Sequence, residues 1–270
     1  GEGGADDHVV ASARRGGPIA AAEIGEGHAV VAVLGDRKTT EGAVTLAFAA
    51  LDDEPPVLLS EEGSGATFVA LAPHQGRVLA AYVDARRAMT PVHARELRVD
   101  DGGKLGLGGD AVAFIGEGGD AQTSCTLVAS GEGALALVPI GDGRGFGMAA
   151  VRVGLPPVDD APTTWSPYPN GCTPAPIAAT GTFPAKVARV RPATKDPSSK
   201  RALELGEVDA AGAFTPICTV AEARSVRDVA VAEDAHHVVW VAYTDGRGTW
   251  LVRRAPRPPA PPKPASKKKR

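Results

Sequence analysis

The chain has 270 residues, 43% of them hydrophobic, which is enough for a sizeable buried core and excludes disorder over its whole length. Its net charge of −3 excludes a strong overall field for nucleic acid or membranes, and no apolar run reaches the roughly 18 residues of a membrane helix. The 33 Gly and 23 Pro follow no collagen-like period, so they indicate frequent turns.

An apolar run that ends in an aspartate recurs five times along the chain. The runs cover residues 29–36, 77–84, 134–142, 186–196 and 238–245. Their final acids are Asp36, Asp84, Asp142, Asp196 and Asp245, at spacings of 48 to 58 residues. The residues alternate with a period of two, and no segment carries a 3.6-residue stripe, so the pattern predicts strands rather than helices.

Further strand-like runs flank each of these five. One precedes it at residues 19–24, 67–72, 125–129 and 226–231, with a weaker copy at 177–183. Another follows it at residues 44–51, 92–99, 148–153, 202–208 and 250–254, and a last run at 57–60, 112–115 and 214–220 leads to the next unit. Four short antiparallel strands in about fifty residues match one blade of a β-propeller.

The sequence therefore predicts an all-β fold, a β-propeller of about five four-stranded blades within residues 1–255. The units lie at about residues 16–60, 61–120, 121–175, 176–224 and 225–255. The last unit has three strands, and segment 8–14, HVVASAR, matches the fourth-strand position. We expect this N-terminal strand to complete the last blade and close the ring, which removes unpaired edges. The alternative is that further blades precede residue 1.

The turns after the aspartates share an arginine. Residues 142–145 and 245–248 both have the sequence DGRG, so Arg144 and Arg247 sit two residues after their aspartates, as Arg86 does after Asp84. We expect each Asp to accept a hydrogen bond from the amide two residues on, and each Arg to pair with an acid or carbonyl of the next strand. Because the turn recurs in nearly every unit, its interpretation is structural.

This pattern resembles the D-x-R turn repeats of secreted bacterial β-propellers and, more loosely, the Asp-box of sialidase-type propellers. Asp245, Thr249 and Trp250 match that box, whereas Tyr243 and Arg247 depart from it. The resemblance implies a location outside the cytoplasm, with the chain secreted, periplasmic or at the cell surface.

A sialidase-like activity would imply a tyrosine nucleophile, a partner acid and three arginines that grip a carboxylate. Tyr82 and Tyr243 occupy the same repeat position, so they are predicted to be packing residues, and Tyr168 has no recognisable partner. The adjacent His236 and His237 would point to opposite faces of a strand and would not chelate one ion together. We therefore predict no catalytic residue, no metal site and no cofactor.

Residues 156–176 break the repeat and are predicted to form an irregular exposed loop. Trp165, Tyr168 and Asn170 in this segment are the candidate binding residues, because exposed aromatics on loops often contact partners. Cys172 and Cys218 are candidates for a disulfide that tethers the loop, although three unpaired thiols fit the sequence equally well.

The last segment, residues 256–270, is rich in proline and ends in four consecutive cations. It is predicted to be a disordered tail that contacts anionic polymers, without specific recognition of nucleic acid. For the whole chain we expect a non-catalytic binding or scaffold propeller that presents loops or a blade face to a protein or glycan partner. The alternative is a sialidase-like, glycan-cleaving hydrolase, which rests on analogy of fold.

Overall fold

The computed structural model of the chain describes residues 19–25, 28–39, 42–51, 54–61, 65–84, 89–117, 125–130, 133–142, 145–154, 164–167, 177–181, 183–192, 201–223 and 226–254. Every regular element in these residues is a β-strand, which confirms the all-β prediction. None of the described segments is a helix with the length and apolar character that crossing a bilayer requires. The predicted strand 8–14 and the predicted tail 256–270 lie outside the described residues.

The strands form five antiparallel sheets that follow one another along the chain. The first sheet contains β1 (Ile19–Ile24), β2 (His28–Thr39), β3 (Gly42–Leu51) and β4 (Val57–Leu58). The second contains β5 (Ala66–His74), β6 (Arg77–Asp84), β7 (Met89–Val99) and β8 (Leu105–Glu117). The third contains β9 (Thr126–Ser130), β10 (Gly133–Asp142), β11 (Gly145–Gly154) and β12 (Thr164–Pro167).

The last two sheets repeat this plan. The fourth contains β13 (Ile177–Ala179), β14 (Ala185–Pro192), β15 (Arg201–Val208) and β16 (Phe214–Ala223). The fifth has three strands among the described residues, β17 (Val226–Glu233), β18 (Val239–Asp245) and β19 (Gly248–Arg254). In every sheet each strand pairs with the next one in sequence, so the five sheets are simple meanders.

Tight turns with left-handed residues connect several of these strands. Gln75 and Gly76 join β5 to β6 with φ values of 51° and 75°, as a two-residue hairpin requires. Three further turns begin with an aspartate whose Oδ1 accepts the amides two and four residues on, at Asp100, Asp209 and Asp234. His236 and His237 therefore lie in the turn that leads into β18 and not on a strand.

The sheets pack face to face through four apolar clusters, one between each sheet and the next. Alternation along each strand supplies both faces: on β6, Val78, Ala80 and Tyr82 face the first sheet, whereas Leu79 and Ala81 face the third. Small Ala and Val side chains dominate these clusters and allow close approach of neighbouring sheets. The first strand of each sheet also contacts the first strand of the next, from β1 through to β17.

Two sequence expectations are corrected. Residues 156–176 do not simply break the repeat, because Thr164–Pro167 forms β12 and pairs with residues 147–150 of β11 as the fourth strand of the third sheet. Asp36 does not lie in a turn, because β2 continues to Thr39 and Asp36 pairs with Thr45 inside the hairpin. In both cases a cross-strand partner, distant in sequence, extends the ladder beyond what the local pattern indicates.

Candidate functional site

The antiparallel order of the strands sorts the turns onto two edges of the sheets. In the four-stranded sheets the second strand ends at the same edge as the fourth, and Asp84, Asp142 and Asp245 are the last residues of β6, β10 and β18. The D-x-R turns of these three aspartates therefore begin at the edge where the fourth strands end, and the fourth strand of the third sheet ends at Pro167. Tyr168, Asn170 and Cys172 follow Pro167 in the sequence. Those three residues lie outside the described part of the chain, so their predicted roles stay predictions.

Asp245 makes the turn contacts expected from the sequence. Its Oδ1 accepts hydrogen bonds from the amides of Arg247 at 2.7 Å and Gly248 at 3.2 Å. The Arg247 amide, and next the side chain of Trp250, hold the pKa of the Asp245 carboxyl below its usual value. The turn is exposed, and the Arg247 side chain lies in solvent. These contacts stabilise a hairpin and assemble no reactive group.

The other marked aspartates are placed differently. Asp36 accepts a hydrogen bond from the Thr45 hydroxyl at 2.8 Å, across the hairpin. Asp84 is buried and accepts the amide of Gly65, on the segment that enters β5, at 3.2 Å. Asp142 ends β10 and pairs with Gly145, the same register that Asp245 has with Gly248. Arg86, Arg144 and Asp196 lie outside the described residues.

Trp165 lies on a strand and not on an irregular loop, because it pairs with Ala149 in the ladder between β12 and β11. Cys218, on β16, is a free thiol. Its predicted disulfide partner, Cys172, lies outside the described residues, so that pairing stays a prediction. Cys125 is also a free thiol, and its burial raises its pKa to about 12. Burial therefore disfavours the thiolate of Cys125, which is the form that nucleophilic chemistry needs.

The two described tyrosines are packing residues, as predicted. Tyr82 is buried and its ring stacks on His93, with centroids 4.7 Å apart and planes within 3°. Tyr243 is buried in the cluster between the fourth and fifth sheets, and burial raises the pKa of its phenol. A nucleophilic tyrosine needs its hydroxyl in an open cleft beside a base, and neither side chain has that setting.

The first strand of each sheet contacts the first strand of the next, and these five strands carry few charged side chains. They consist mostly of Ala, Val, Leu, Ile and Thr, with Arg227 as the one arginine among them. Their carboxylates are Glu23, Asp228 and Glu233, and Asp228 accepts a hydrogen bond from Thr244. No group of three or more His, Cys, Asp and Glu side chains that could hold a metal ion occurs within the described ranges.

Large apolar side chains are exposed on the fourth and fifth sheets at positions where the sequence predicted no binding residue. Trp250 and Leu251 on β19 are 46% and 66% exposed, and Ile217 on the neighbouring β16 is 54% exposed. Trp240, on β18, donates its indole N–H to Asp234 Oδ2 at 3.3 Å and lies beneath the Arg253 guanidinium. The signal available in the sequence was that two of the three tryptophans fall on strands next to the DGRG turn.

Comparison with known protein families and with curated protein sequences finds no match for the chain.

Proposed function

We propose that the protein is a non-catalytic β-propeller outside the cytoplasm, which binds a protein partner through the exposed surface of its last two sheets. One observation carries this proposal: the first strands, which would line the axis of such a propeller, offer an Ala- and Val-rich wall with one arginine. Its carboxylates are Glu23 on β1 and Asp228 and Glu233 on β17, and Asp228 is held by the Thr244 hydroxyl. An arginine triad or a pair of facing carboxylates on that wall would instead have favoured hydrolysis of a glycan.

The partner surface includes Trp250 on β19 and Ile217 on β16, both of which are exposed. The free energy of a complex falls when a partner covers large apolar side chains that were exposed to solvent. Tryptophan is also enriched among the residues that dominate binding energies.

Ring closure by residues 8–14 forms part of the same proposal. The supporting observation is on the first sheet, where Val33, Leu46 and Ala50 are buried although they face away from the cluster shared with the second sheet. A strand placed beside β19 would lie over this face in a ring of five blades. Deletion of residues 1–15 should then lower the melting temperature by several degrees, whereas deletion of residues 256–270 should leave it unchanged.

The functional test has two arms. Methylumbelliferyl sialoside and a panel of methylumbelliferyl glycosides should give no turnover with the purified chain, with an active sialidase as the positive control. A photo-crosslinking amino acid at position 250 or 217 should give discrete adducts in the native host, and the same group at the exposed position 104 should not. Turnover of the sialoside would favour the hydrolase, and adducts that do not depend on position would overturn the binding surface.

A further inference from the structure

The second sheet contains a charged cluster that neither the repeat nor the proposed partner surface explains. The Glu96 carboxylate on β7 accepts hydrogen bonds from Arg98 Nε at 2.5 Å and Arg98 Nη2 at 3.0 Å, so the Arg98–Glu96 contact is bidentate. Arg77 Nη1, from the start of β6, lies 2.6 Å from Glu96 Oε1. One carboxylate therefore holds two guanidinium groups, and the cluster carries a net charge of +1.

The burial of the three side chains is unequal. The Glu96 side chain is 9% exposed, whereas those of Arg77 and Arg98 are 49% and 52% exposed. The acid is thus covered by its partners, and each arginine keeps half of its surface in water. The arginines hold the pKa of Glu96 below its usual value, so the cluster keeps its charges near neutral pH.

A β-bulge lies directly against this cluster. The register of β7 with β8 shifts between Arg95 and Leu97, so Gly108 and Gly109 together face the single residue Glu96. A Cβ atom at Gly108 would lie 3.0 Å from Glu96 Cβ and 3.3 Å from Arg98 Nε. Because residue 108 is glycine, it places no side chain in the space that Arg98 occupies beside β8. Bulges and strand glycines of this kind recur where a ligand approaches the backbone.

We propose that Arg77 and Arg98, fixed by Glu96 at the bulge of Gly108 and Gly109, form a binding site for a phosphate or sulfate ester group of an anionic polymer. Glu96 orients both guanidinium groups in advance, so less side-chain entropy is lost on binding. An ester with three terminal oxygens can accept hydrogen bonds from both arginines at once, and charge-assisted bonds of this type are the stronger class.

The inference goes beyond the proposed protein-binding function, because the site lies on the second sheet and takes a different class of ligand. Its test is fluorescence anisotropy with the full chain and two fluorescein-labelled probes, an oligosaccharide that carries phosphate monoesters for the phosphate arm and a heparin oligosaccharide for the sulfate arm. The double variant R77Q/R98Q should bind the preferred probe about tenfold more weakly or worse, the loss of at least two charge-assisted bonds. The matched control R227Q/R247Q removes the same charge from exposed arginines elsewhere and should change affinity about twofold or less.

Two further variants separate loss of binding at this site from loss of folding and from binding by the tail. R77Q alone leaves the bidentate contact of Arg98 with Glu96 in place. This variant should therefore fold with an unchanged circular dichroism spectrum and still lose part of its affinity for the probe. Neutralising Lys267, Lys268, Lys269 and Arg270 to Gln removes the contribution of the tail and should leave the difference between the two double variants intact. Equal losses in both double variants, or no binding of either probe by the wild-type chain, would overturn the site. Turnover of the sialoside would overturn the non-catalytic function without changing this comparison.

Discussion

Arg189 and Glu204 face each other across the β14–β15 ladder, and both charges are buried. Arg189 Nε and Nη2 each lie 3.1 Å from Glu204 Oε2, with side-chain exposures of 6% and 10%. The Arg189 guanidinium also lies 3.7 Å above the centre of the Phe214 ring on β16. The pair connects the central strands of the fourth sheet to its edge strand, in a setting where a charge without its partner is costly.

Removing one member of this pair should destabilise the protein strongly. Glu204→Ala leaves the Arg189 charge buried and should lower the free energy of unfolding by about 3–5 kcal/mol. The double variant R189M/E204L replaces both charges with apolar groups of similar volume and should be close to wild type or more stable. Urea denaturation of the three proteins measures this. A single variant as stable as the wild type would contradict the assigned energetics.

Gly206 should tolerate no side chain, because β16 approaches it closely. A Cβ atom at position 206 would lie 2.1 Å from Phe214 Cζ and 2.7 Å from the Thr215 carbonyl oxygen. Gly206→Ala should therefore cost about 1–3 kcal/mol of stability.

The matched control for this substitution is Gly181→Ala, where a Cβ atom would meet no atom within 4 Å. We expect the control to lie within about 0.5 kcal/mol of wild type by urea denaturation. Equal effects at the two positions would show that β16 does not pack on Gly206 in solution.

Two glycines separate backbone strain from packing between sheets. Gly103 and Gly212 occupy the same left-handed position in their aspartate turns, with φ values of 79° and 87°. A Cβ atom would meet nothing within 4 Å at Gly103, but it would lie 2.6 Å from Ala150 Cβ at Gly212. Gly103→Ala should cost about 1–2 kcal/mol from its left-handed backbone alone.

Gly212→Ala should cost clearly more than that. Its turn docks on the third sheet, where Thr164 Oγ1 donates to the Ala211 carbonyl at 2.6 Å and Arg152 Nη2 donates to the Ala210 carbonyl at 3.0 Å. The added methyl group would push the fourth sheet away from these contacts. Melting temperatures of the two variants test this, and a smaller shift for Gly212→Ala than for Gly103→Ala would contradict the docking.

Stability should fall on acidification partly because of Glu96. Hydrogen bonds from Arg98 hold the pKa of Glu96 in the folded state below its usual value of about 4.5. A depressed carboxyl pKa contributes stability above the unfolded-state value, and this stability is lost as the pH falls through the folded-state value. Glu96→Gln should therefore be less stable than wild type at neutral pH and should lose less on going from about pH 5 to pH 3.

Glu222→Gln, at an exposed carboxylate on β16, is the control for this titration. Its acid profile should follow the wild type. Thermal denaturation monitored by circular dichroism at each pH measures all three proteins, and parallel profiles for Glu96→Gln and the wild type would remove Glu96 as a source of the acid sensitivity.

The sequence by itself determined the strands other than β12, and their order. Runs with a period of two, such as residues 77–84, fold as strands because alternate side chains fill the clusters on both faces of each sheet. The turn at Asp245 was also predictable, because an Asp side chain reaches the amides two and three residues on without help from the rest of the fold.

Only the tertiary structure decided which distant side chains meet. The bulge opposite Glu96, the placement of Trp165 on β12 and the position of Asp36 inside a hairpin depend on the register of strand pairs. Register is set by cross-strand packing energies summed over whole ladders, and the residues around one position do not contain that sum. The Arg77–Glu96–Arg98 cluster, which joins two strands at a bulge in a third, had for the same reason no signature in the sequence.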